Sequence, residues 1–309
     1  LIDAADAPQN DLDRQLGDYY ASGMDLSAIE ASGVSAIQGF LDAIDAVATH
    51  DDVVALLPTL HRTGIGPFFM WATEVDHDDS SRYLLWLAQG GLGLPDRDAY
   101  FDETPAAVSL REAYVGHVAA QLVNVGTAHE RAAAAADAVL DLETRLAAHH
   151  LRKEERRDPD RTLNRHDLPA LSTLAPPLDL PGYLLSLGAG AATTVNVENP
   201  AYFAALHEVI RETELDALRA YLAFHVVMAA ADALPAAIDD EAFDFYGRRI
   251  QGKKEQKERH KRVISALSSD MGEGLGQRFV EEAFPPSAKQ RAVDMVEEIL
   301  AETKMAPEP

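Results

Sequence analysis

The chain has 309 residues, of which 47% are hydrophobic, so it can bury one large core or two smaller ones. Its 51 acidic and 27 basic side chains give a net charge of −24, which disfavours binding to nucleic acid or to an anionic membrane. It has no cysteine, which excludes disulfides and thiolate metal sites.

The first part of the sequence predicts amphipathic helices. Leu12 and Leu16 stand four residues apart, as on one face of a helix, and Asp25 can cap the helix that follows. Pro58 lies inside another helical pattern, where it can cause a kink. We predict helices over residues 11–20, 26–31, 36–49 and 51–63.

The next segment predicts a β-hairpin. Residues 67–75 and 81–88 are rich in Phe, Trp, Tyr and Leu, and the polar residues 76–80 separate them. The three aspartates in this cluster suggest calcium, but the glycine and bidentate glutamate of an EF-hand loop are missing. We therefore interpret the cluster as the hairpin tip. The aspartates are Asp76, Asp78 and Asp79.

The hairpin leads into Gln89–Tyr100, which reads QGGLGLPDRDAY. Pro95 suits the first turn of a helix, and Asp96 and Asp98 place negative charge where a helix N-terminus favours it. Arg97 can pair with either carboxylate. The segment predicts a corner between a strand and a helix. Its three glycines, which permit positive φ and close backbone approach, are Gly90, Gly91 and Gly93.

The rest of the chain predicts mostly helices. Residues 105–146 are helical with a break near Gly126, and residues 215–234 form the longest uniformly apolar helix, which we expect in the core. Residues 156–161 predict a charged, solvated loop, and residues 195–200 an extended segment. Further helices are predicted over 180–187, 201–211, 241–250, 254–282 and 289–303.

Several strings resemble one protein family. Gln89–Tyr100 is similar to the QGGLGLPDRDYY signature of the neprilysin and endothelin-converting-enzyme family of zinc metallopeptidases, with Ala99 in place of the usual aromatic residue. The string GLGQRFVEEAFPPSAKQ at 274–290 is a second long resemblance, and residues 142–171 and 195–210 resemble the family more loosely. Vertebrate members carry disulfides, so the absence of cysteine indicates a bacterial, endopeptidase O-like relative.

The zinc chemistry of that family has no match in this sequence. His207-Glu208 begins the nearest approach to His-Glu-x-x-His, but Arg211 occupies the second histidine position and a guanidinium does not bind zinc. His149 and His150 point about 100° apart on a helix, so we expect them to form a C-terminal pair favoured by the helix dipole. We predict no catalytic, cofactor-binding or metal-binding residue in this chain. The resemblance implies that zinc belongs to a missing catalytic half.

Three other motifs have structural interpretations. Residues 247–253 fit G-x-x-x-x-G-K, but Lys254 supplies no hydroxyl and no strand precedes them. The basic run 253–262 predicts a solvated helix face with a Glu258–Arg262 pair, and a docking surface for an acidic partner stays an alternative. Three further glycines fail the G-x-G-x-x-G pattern and indicate close helix packing: Gly272, Gly274 and Gly276.

We therefore expect a mainly α fold, a multi-helix domain with one small β-hairpin, over residues 1–304, followed by a disordered tail over 305–309. The resemblance implies the helical lid that closes over a zinc domain in full-length members and admits only small peptides. The start at Leu1 is typical of a processed or trimmed N-terminus, and the sequence shows no membrane segment. Secreted, periplasmic and cytoplasmic locations all stay open.

The leading hypothesis is a noncatalytic lid portion of a neprilysin-like zinc metalloendopeptidase. This chain would be inactive alone, and would take part in proteolysis of small peptides when a catalytic half joins it in cis or in trans. Such a partner requires an apolar, unpaired surface on this chain. The alternative is a free-standing peptide-binding or regulatory protein that reuses the domain. A third possibility, an unrelated helical interaction protein, is disfavoured by the two long strings.

Overall fold

The computed structural model describes residue 1, residues 6–284 and residues 286–305. The chain divides into two compact units: Leu1–Ile29 with Glu255–Pro309, and Glu30–Lys254. The mainly α prediction is confirmed. Residues 306–309 of the predicted tail lie outside the described residues, and Met305 is the last residue of the final helix.

The predicted helices appear in order with shifted ends, and two short helices form where none was predicted: Pro159–Thr162, within the predicted loop, and Leu168–Leu174. In chain order they are α1 (Asp11–Met24), α2 (Leu26–Ser32), α3 (Gln38–Asp45), α4 (His50–Arg62), α5 (Asp98–Phe101), α6 (Pro105–Asn124), α7 (His129–Ala148), α8 (Pro159–Thr162), α9 (Leu168–Leu174), α10 (Leu180–Ser186), α11 (Pro200–Glu212), α12 (Leu215–Ala230), α13 (Ala236–Ala242), α14 (Arg259–Asp270), α15 (Gly272–Ala283) and α16 (Pro286–Met305). A π-helix, Phe243–Ile250, continues α13.

Local side chains explain several helix starts. The Asn10 side chain accepts a hydrogen bond from the Asp13 amide at 2.9 Å and so caps α1. Thr49 and Asp52 form a capping box at α4.

The prediction of one helix over 254–282 is wrong, because the backbone of Met271 (φ −133°, ψ 32°) leaves the helical region and separates α14 from α15.

The predicted hairpin belongs to a four-stranded sheet. Strands β1 (Phe69–Asp76) and β2 (Asp79–Gln89) pair antiparallel, as predicted. The predicted extended segment supplies β4 (Thr194–Val197), which pairs parallel with β2 and antiparallel with the short β3 (Arg165–Asp167). The strand order is β1-β2-β4-β3. The additional strands give the hairpin the support that an isolated pair lacks.

Helix α12 lies in the core of the larger unit, as its apolar sequence predicts. Leu218, Tyr221 and Leu222 are fully buried, and the helix packs against α7, α3 and α6. The C-terminal end of β2 lies against the same core through the buried Leu87. This packing places α7 and α12 around the chain that leaves β2.

None of the described helices is by itself both long and apolar enough to cross a membrane. Residues 215–233 and 236–250 together reach that length and composition, but they meet at 103°.

Candidate functional site

The signature string folds into a tight loop after β2, which we call the glycine loop (residues 90–97). Gly91 has φ +79°, and a Cβ atom there would lie 2.3 Å from the Tyr221 hydroxyl. A Cβ atom at Gly93 would lie 1.9 Å from the hydroxyl of Tyr114. The glycines are therefore needed because side chains from other helices pack directly on this backbone.

Three tyrosines from distant parts of the larger unit donate hydrogen bonds to carbonyl groups of the loop. The Tyr221 hydroxyl donates to Gly91 O at 2.9 Å, and the Tyr246 hydroxyl donates to Gly93 O at 3.0 Å. The Tyr202 hydroxyl lies 3.3 Å from Gly90 O and also donates to Phe68 O. Burial raises the pKa of each of these hydroxyls, so they stay protonated donors.

Glu143 on α7 is the central acceptor of the loop and is completely buried. One carboxylate oxygen accepts from Tyr100 at 2.6 Å and from the Gly93 amide at 3.2 Å, and the other accepts from Tyr114 at 2.8 Å. Burial raises the pKa of Glu143 to about 7, although these three donors act in the opposite direction. The carboxyl group therefore titrates near neutral pH while it holds the loop.

A second set of contacts fixes the entrance of the loop. The buried Gln89 side chain accepts from the Leu151 amide at 2.8 Å and from Asn199 Nδ2 at 2.8 Å, and it donates to Leu151 O at 3.1 Å. The backbone N–H of Gln89 donates to Glu198 Oε2 at 3.2 Å. Arg156 Nε donates to the other carboxylate oxygen, Glu198 Oε1, at 2.8 Å. The segments that loosely resemble the family thus converge on the first long string.

This network corrects two predictions. The region around Arg156 is not merely a solvated loop, because Arg156 neutralises a buried carboxylate. The prediction of a cationic histidine pair at the end of α7 is wrong for His150, which is buried while His149 is exposed. Burial and the Arg156 charge lower the pKa of His150 to about 4, so its ring is neutral at pH 7.

The corner after the loop leads into α5 as predicted, although Pro95 lies three residues before the helix and the N-cap residue Arg97 makes no side-chain cap hydrogen bond. Asp96 accepts a hydrogen bond from the Ala99 amide at 3.1 Å, and Arg97 pairs with Asp98 at 3.2 Å. The guanidinium of Arg97 also lies 4.8 Å from the centre of the Phe101 ring. The string therefore consists of structural contacts, and it presents no nucleophile paired with a base.

The second long string is also structural. In α15, Arg278 pairs with the buried Asp13 of α1, with its Nε 2.6 Å from Oδ1. Gly274 permits close helix packing, as predicted, because a Cβ there would lie 2.7 Å from Leu12 Cδ1. Nothing lies within 4 Å of a Cβ built at Gly272 or Gly276, so close packing does not explain those two.

The candidate metal residues do not form a site. His207, Glu208 and Arg211 lie on the outer side of α11. Because a guanidinium stands where a second imidazole would be needed, these residues do not fit a zinc ion. Asp76 and Asp78, at the hairpin tip, both contact Arg165 of β3. Across residues 6–284 and 286–305, no group of three or more His, Asp or Glu side chains has a metal-binding arrangement.

The two remaining motifs, residues 247–253 and 253–262, lie in or beside helices. The G-x-x-x-x-G-K letters fall in the π-helix and the turn after it, which follows a helix and no strand. The basic run is helical only from Arg259 onward, and Glu258 pairs with Lys261 at 2.8 Å. The predicted solvated helix face is therefore shorter than the run.

Sequence reasoning missed the residues that bind the loop. Glu143 gives the clearest signal, because it stands four residues after Val139 on the apolar face of α7, where a charged side chain requires buried partners. The tyrosines gave no such signal, since aromatic residues on an apolar face also fit an ordinary core.

Comparisons with known proteins agree with the resemblance. The family model described as Peptidase family M13 matches residues 1–305. Endothelin-converting enzyme 1 of Cavia porcellus is 24% identical over 312 residues, which cover 97% of this chain and 41% of the relative. The zinc metalloprotease Zmp1 of Mycobacterium tuberculosis, in its open state, superposes with a TM-score of 0.89 at 32% identity over 96% of this chain and 46% of that chain.

A third comparison shows the fold alone. PepO from Lactobacillus rhamnosis superposes with a TM-score of 0.82 at 19% identity, over 98% of this chain and 48% of that chain. The chain thus spans less than half the length of each of these three relatives. With residues 1–305 matched by the family model, this chain belongs to peptidase family M13 and corresponds to the N-terminal domain of its neprilysin-like metallopeptidases.

Proposed function

We propose that residues 1–304 act as one noncatalytic helical lid of a neprilysin-like zinc metalloendopeptidase. The chain would enclose small peptides when it is combined with a catalytic, zinc-bearing half in cis or in trans, and would cleave none alone. The zinc belongs to that other half. The observation that carries the proposal is the match of nearly the whole chain to less than half of a zinc metalloprotease.

Two features of the chain support this division of roles. The signature string is occupied by internal hydrogen bonds, with Glu143 as an acceptor for three groups of the larger unit. His207, Glu208 and Arg211 do not provide the ligands that a hydrolytic zinc needs. Neither feature supplies hydrolytic chemistry, which the proposal assigns to the other half.

The test compares the chain alone with the chain plus a zinc-bearing half. A quenched fluorescent peptide reports cleavage, and atomic emission measures bound zinc after dialysis. We expect no cleavage and no stoichiometric zinc for the chain alone, and cleavage restricted to small peptides when both halves are present. Stoichiometric zinc held by this chain, or cleavage without a partner, would defeat the proposal.

A cleft in the larger unit favours a second candidate, a free-standing peptide-binding protein. The cleft has a volume of about 660 Å³ and lies between α3, the turn after α6 and the start of α12. Alanines such as Ala135 and Ala220 line its floor, and Asp45, Glu130 and Glu214 lie at its rim. Its size suits a few residues of a peptide. Four carboxylates and two arginines, Arg131 and Arg219, line it, so the excess of negative charge favours a basic peptide.

Isothermal titration with a lysine- and leucine-containing peptide tests this candidate. The second candidate predicts saturable binding to the chain alone, and loss of binding in Ala220→Trp, which fills the cleft. A glutamate- and leucine-containing peptide of equal length is the control. Absence of binding by the chain alone leaves the lid function as the better account.

A further inference from the structure

Strand β1 forms a free edge of the sheet. The strand order β1-β2-β4-β3 gives it one neighbour, β2, and among residues 6–284 and 286–305 no further strand pairs with its other side. Residues 72–75 of the strand are exposed, and Trp71 is half-buried. An unpaired edge of this kind offers a row of backbone N–H and C=O groups to another strand.

The pairing with β2 shows which backbone groups of β1 face outward. The Gly90 amide donates to Phe68 O at 3.1 Å, so these two residues form a hydrogen-bonded pair, and such pairs alternate along an antiparallel ladder. Opposite Trp71, Leu87 O accepts from the Glu198 amide at 2.8 Å, so the backbone of Leu87 faces away from β1. Three residues of β1 therefore direct their N–H and C=O groups away from β2: Trp71, Thr73 and Val75.

The sequence of β1 lacks the features that usually protect such an edge. Natural edge strands are often very short, or carry Lys, Pro or a bulge. Strand β1 has eight residues, reads FMWATEVD, and has its irregularity only between Val75 and Asp76, next to the tip. Apolar side chains beside the edge are also exposed, with Met70 at 49% and Tyr83 of β2 at 76%. A long edge with these properties favours pairing with another strand.

An antiparallel second copy of β1 would complement this edge. With Thr73 opposite Thr73 of the second copy, Trp71 stands opposite Val75 on both sides of the two-fold axis. The three pairs would exchange about six backbone hydrogen bonds, two for each pair. Thr–Thr pairs and pairs of an aromatic with a β-branched residue are favourable across strands. The exposed Tyr83 stands opposite Val75 on β2 and extends the same row of side chains.

The two neighbouring registers are less favourable. A register centred on Glu74 would put two carboxylates directly opposite each other, which destabilises a strand pair. A register centred on Ala72 would need the amide of Phe69, which already donates to Pro67 O at 2.7 Å. The register centred on Thr73 uses all three outward-facing residues and puts Glu74 opposite Ala72 of the second copy.

We propose that two copies of this chain form a dimer through β1, in which the two four-stranded sheets join into one of eight strands. The proposal goes beyond the lid function and does not depend on it, because every group that it uses belongs to this chain. A basic peptide is the competing occupant, since Glu74 and the aspartates of the tip are acidic. A second copy fits better, because it supplies opposing Thr, Val and Trp side chains at the spacing of the edge itself.

Two properties of the chain limit the strength of this dimer. A single pair of strands buries less than the roughly 800 Å² on each partner of a standard interface, so we expect weak association. The net charge of −24 makes two copies repel each other. Salt screens this repulsion, so the dimer should strengthen as the salt concentration rises from about 0.05 to 0.5 M. Binding of a basic peptide to the same edge would weaken instead.

The test uses two lysine substitutions at adjacent positions of β1. Thr73→Lys places two lysines opposite each other at the two-fold axis, whereas Ala72→Lys places each lysine opposite Glu74 of the second copy. Both raise the net charge of the chain equally, and both replaced side chains are exposed, so neither change removes a buried contact. Sedimentation equilibrium of the full chain from about 1 to 300 µM measures the dimer Kd in the range of weak interfaces. Thermal unfolding verifies the fold of each variant.

We expect a dimer of the unsubstituted chain and opposite effects of the two lysines. Thr73→Lys should raise the dimer Kd at least about fivefold, and Ala72→Lys should lower it about two- to tenfold. Equal effects of the two substitutions would overturn the proposal, because the register predicts opposite signs. A dimer that neither substitution changes would mean that another surface joins the copies, and it would also overturn the proposal.

A proline variant tests the backbone contacts directly. Thr73→Pro removes an N–H that faces away from β2, so the hairpin keeps its own ladder while the second strand loses a donor. We expect this variant to be a monomer over the same concentrations. If the unsubstituted chain is itself a monomer, the proposal is wrong. Binding of a peptide with alternating Lys and Val to that monomer, lost in Thr73→Pro, would then assign the edge to a peptide.

Discussion

Glu143 couples the stability of the larger unit to pH through a single carboxyl group. Its pKa is about 7 in the folded chain, compared with an ordinary value of 4.5, and burial is the main cause. Between these values the folded chain keeps a proton that the unfolded chain has released. The contribution of Glu143 to the free energy of unfolding therefore falls as the pH rises through this window. The shift in pKa corresponds to a change of about 3 kcal/mol in the contribution of Glu143 to the free energy of unfolding.

Glu143→Gln should remove this dependence, because the amide does not titrate. We expect the unfolding free energy of the unsubstituted chain, minus that of the variant, to fall by about 3 kcal/mol between pH 4.5 and pH 8. Urea denaturation measures both values, and subtraction cancels the other titrating groups. A difference that does not change with pH would show that Glu143 has the same pKa in both states.

Gly93 tests the steric requirement of the glycine loop. Gly93→Ala places a methyl group 1.9 Å from the Tyr114 hydroxyl and should destabilise the fold by about 2–4 kcal/mol. Gly116→Ala in α6 is the matched control, because nothing lies within 4 Å of a Cβ atom there. That change should stabilise the fold by about 0.5–1 kcal/mol through helix propensity. Thermal unfolding measures the change in stability of each variant. If both substitutions destabilised the fold, or both stabilised it, this account would be contradicted.

The hairpin β1–β2 is tied to strand β3 at its tip. Arg165 of β3 contacts Asp76 and lies 2.7 Å from Asp78. The Asp76 side chain is 7% exposed and that of Asp78 is 72% exposed, so the first pair is shielded from water and the second is not. This difference in burial decides which contact stabilises the hairpin.

Asp76→Ala should therefore cost about 2–3 kcal/mol, since Arg165 and the Asp78 amide both lose a buried acceptor. Asp78→Ala should cost less than about 0.5 kcal/mol. Urea denaturation of the two variants measures the loss of unfolding free energy. Raising the salt concentration should change the loss for Asp78→Ala by a larger fraction than the loss for Asp76→Ala, because the Asp78 pair is exposed to solvent. Equal losses would show that burial does not separate the two carboxylates.

The elements show what the sequence could predict. Long amphipathic helices such as α6 and α7, and the hairpin with its polar tip, follow from periodicity and turn residues. Strand β3 could not be predicted in this way, because three residues are too few to show an alternating pattern and because its pairing with β4 is a tertiary contact. The break at Met271 was missed because no Gly or Pro marks it.

The site was predictable only in part. The glycine loop was placed correctly as a corner, since Gly and Pro act locally. Its partners were not found, because Tyr221 and Tyr246 follow Gly91 and Gly93 by 130 and 153 residues. His150 was misread because position on a helix suggested a cation, whereas its environment in the folded chain favours the neutral ring.

At the scale of the molecule, three histidines contribute to the response to acid: His61 and His150 are buried, and His225 is half-buried. Burial lowers the pKa of His61, His150 and His225 to about 4, from an ordinary value of 6.5. The unfolded chain binds more protons than the folded chain between these values, so their contribution to stability is lost as the pH falls through this window. Their effect opposes that of Glu143.

Unfolding near pH 5 should therefore take up protons, up to about three from these residues. Calorimetry in two buffers with different ionisation enthalpies measures the uptake. His150→Gln should lower it by about one proton, while His149→Gln, at the exposed neighbouring position, should leave it unchanged. The same uptake in both variants would mean that His150 is protonated in the folded chain.

The glycine loop also sets an order for folding during synthesis. Its last hydrogen-bond donor, Tyr246, is 153 residues downstream of Gly93, so a ribosome must complete most of the larger unit before the loop can close. Until then the Gly93 carbonyl remains open to water. A nascent chain that stalls before Tyr246 would therefore be unable to complete this loop.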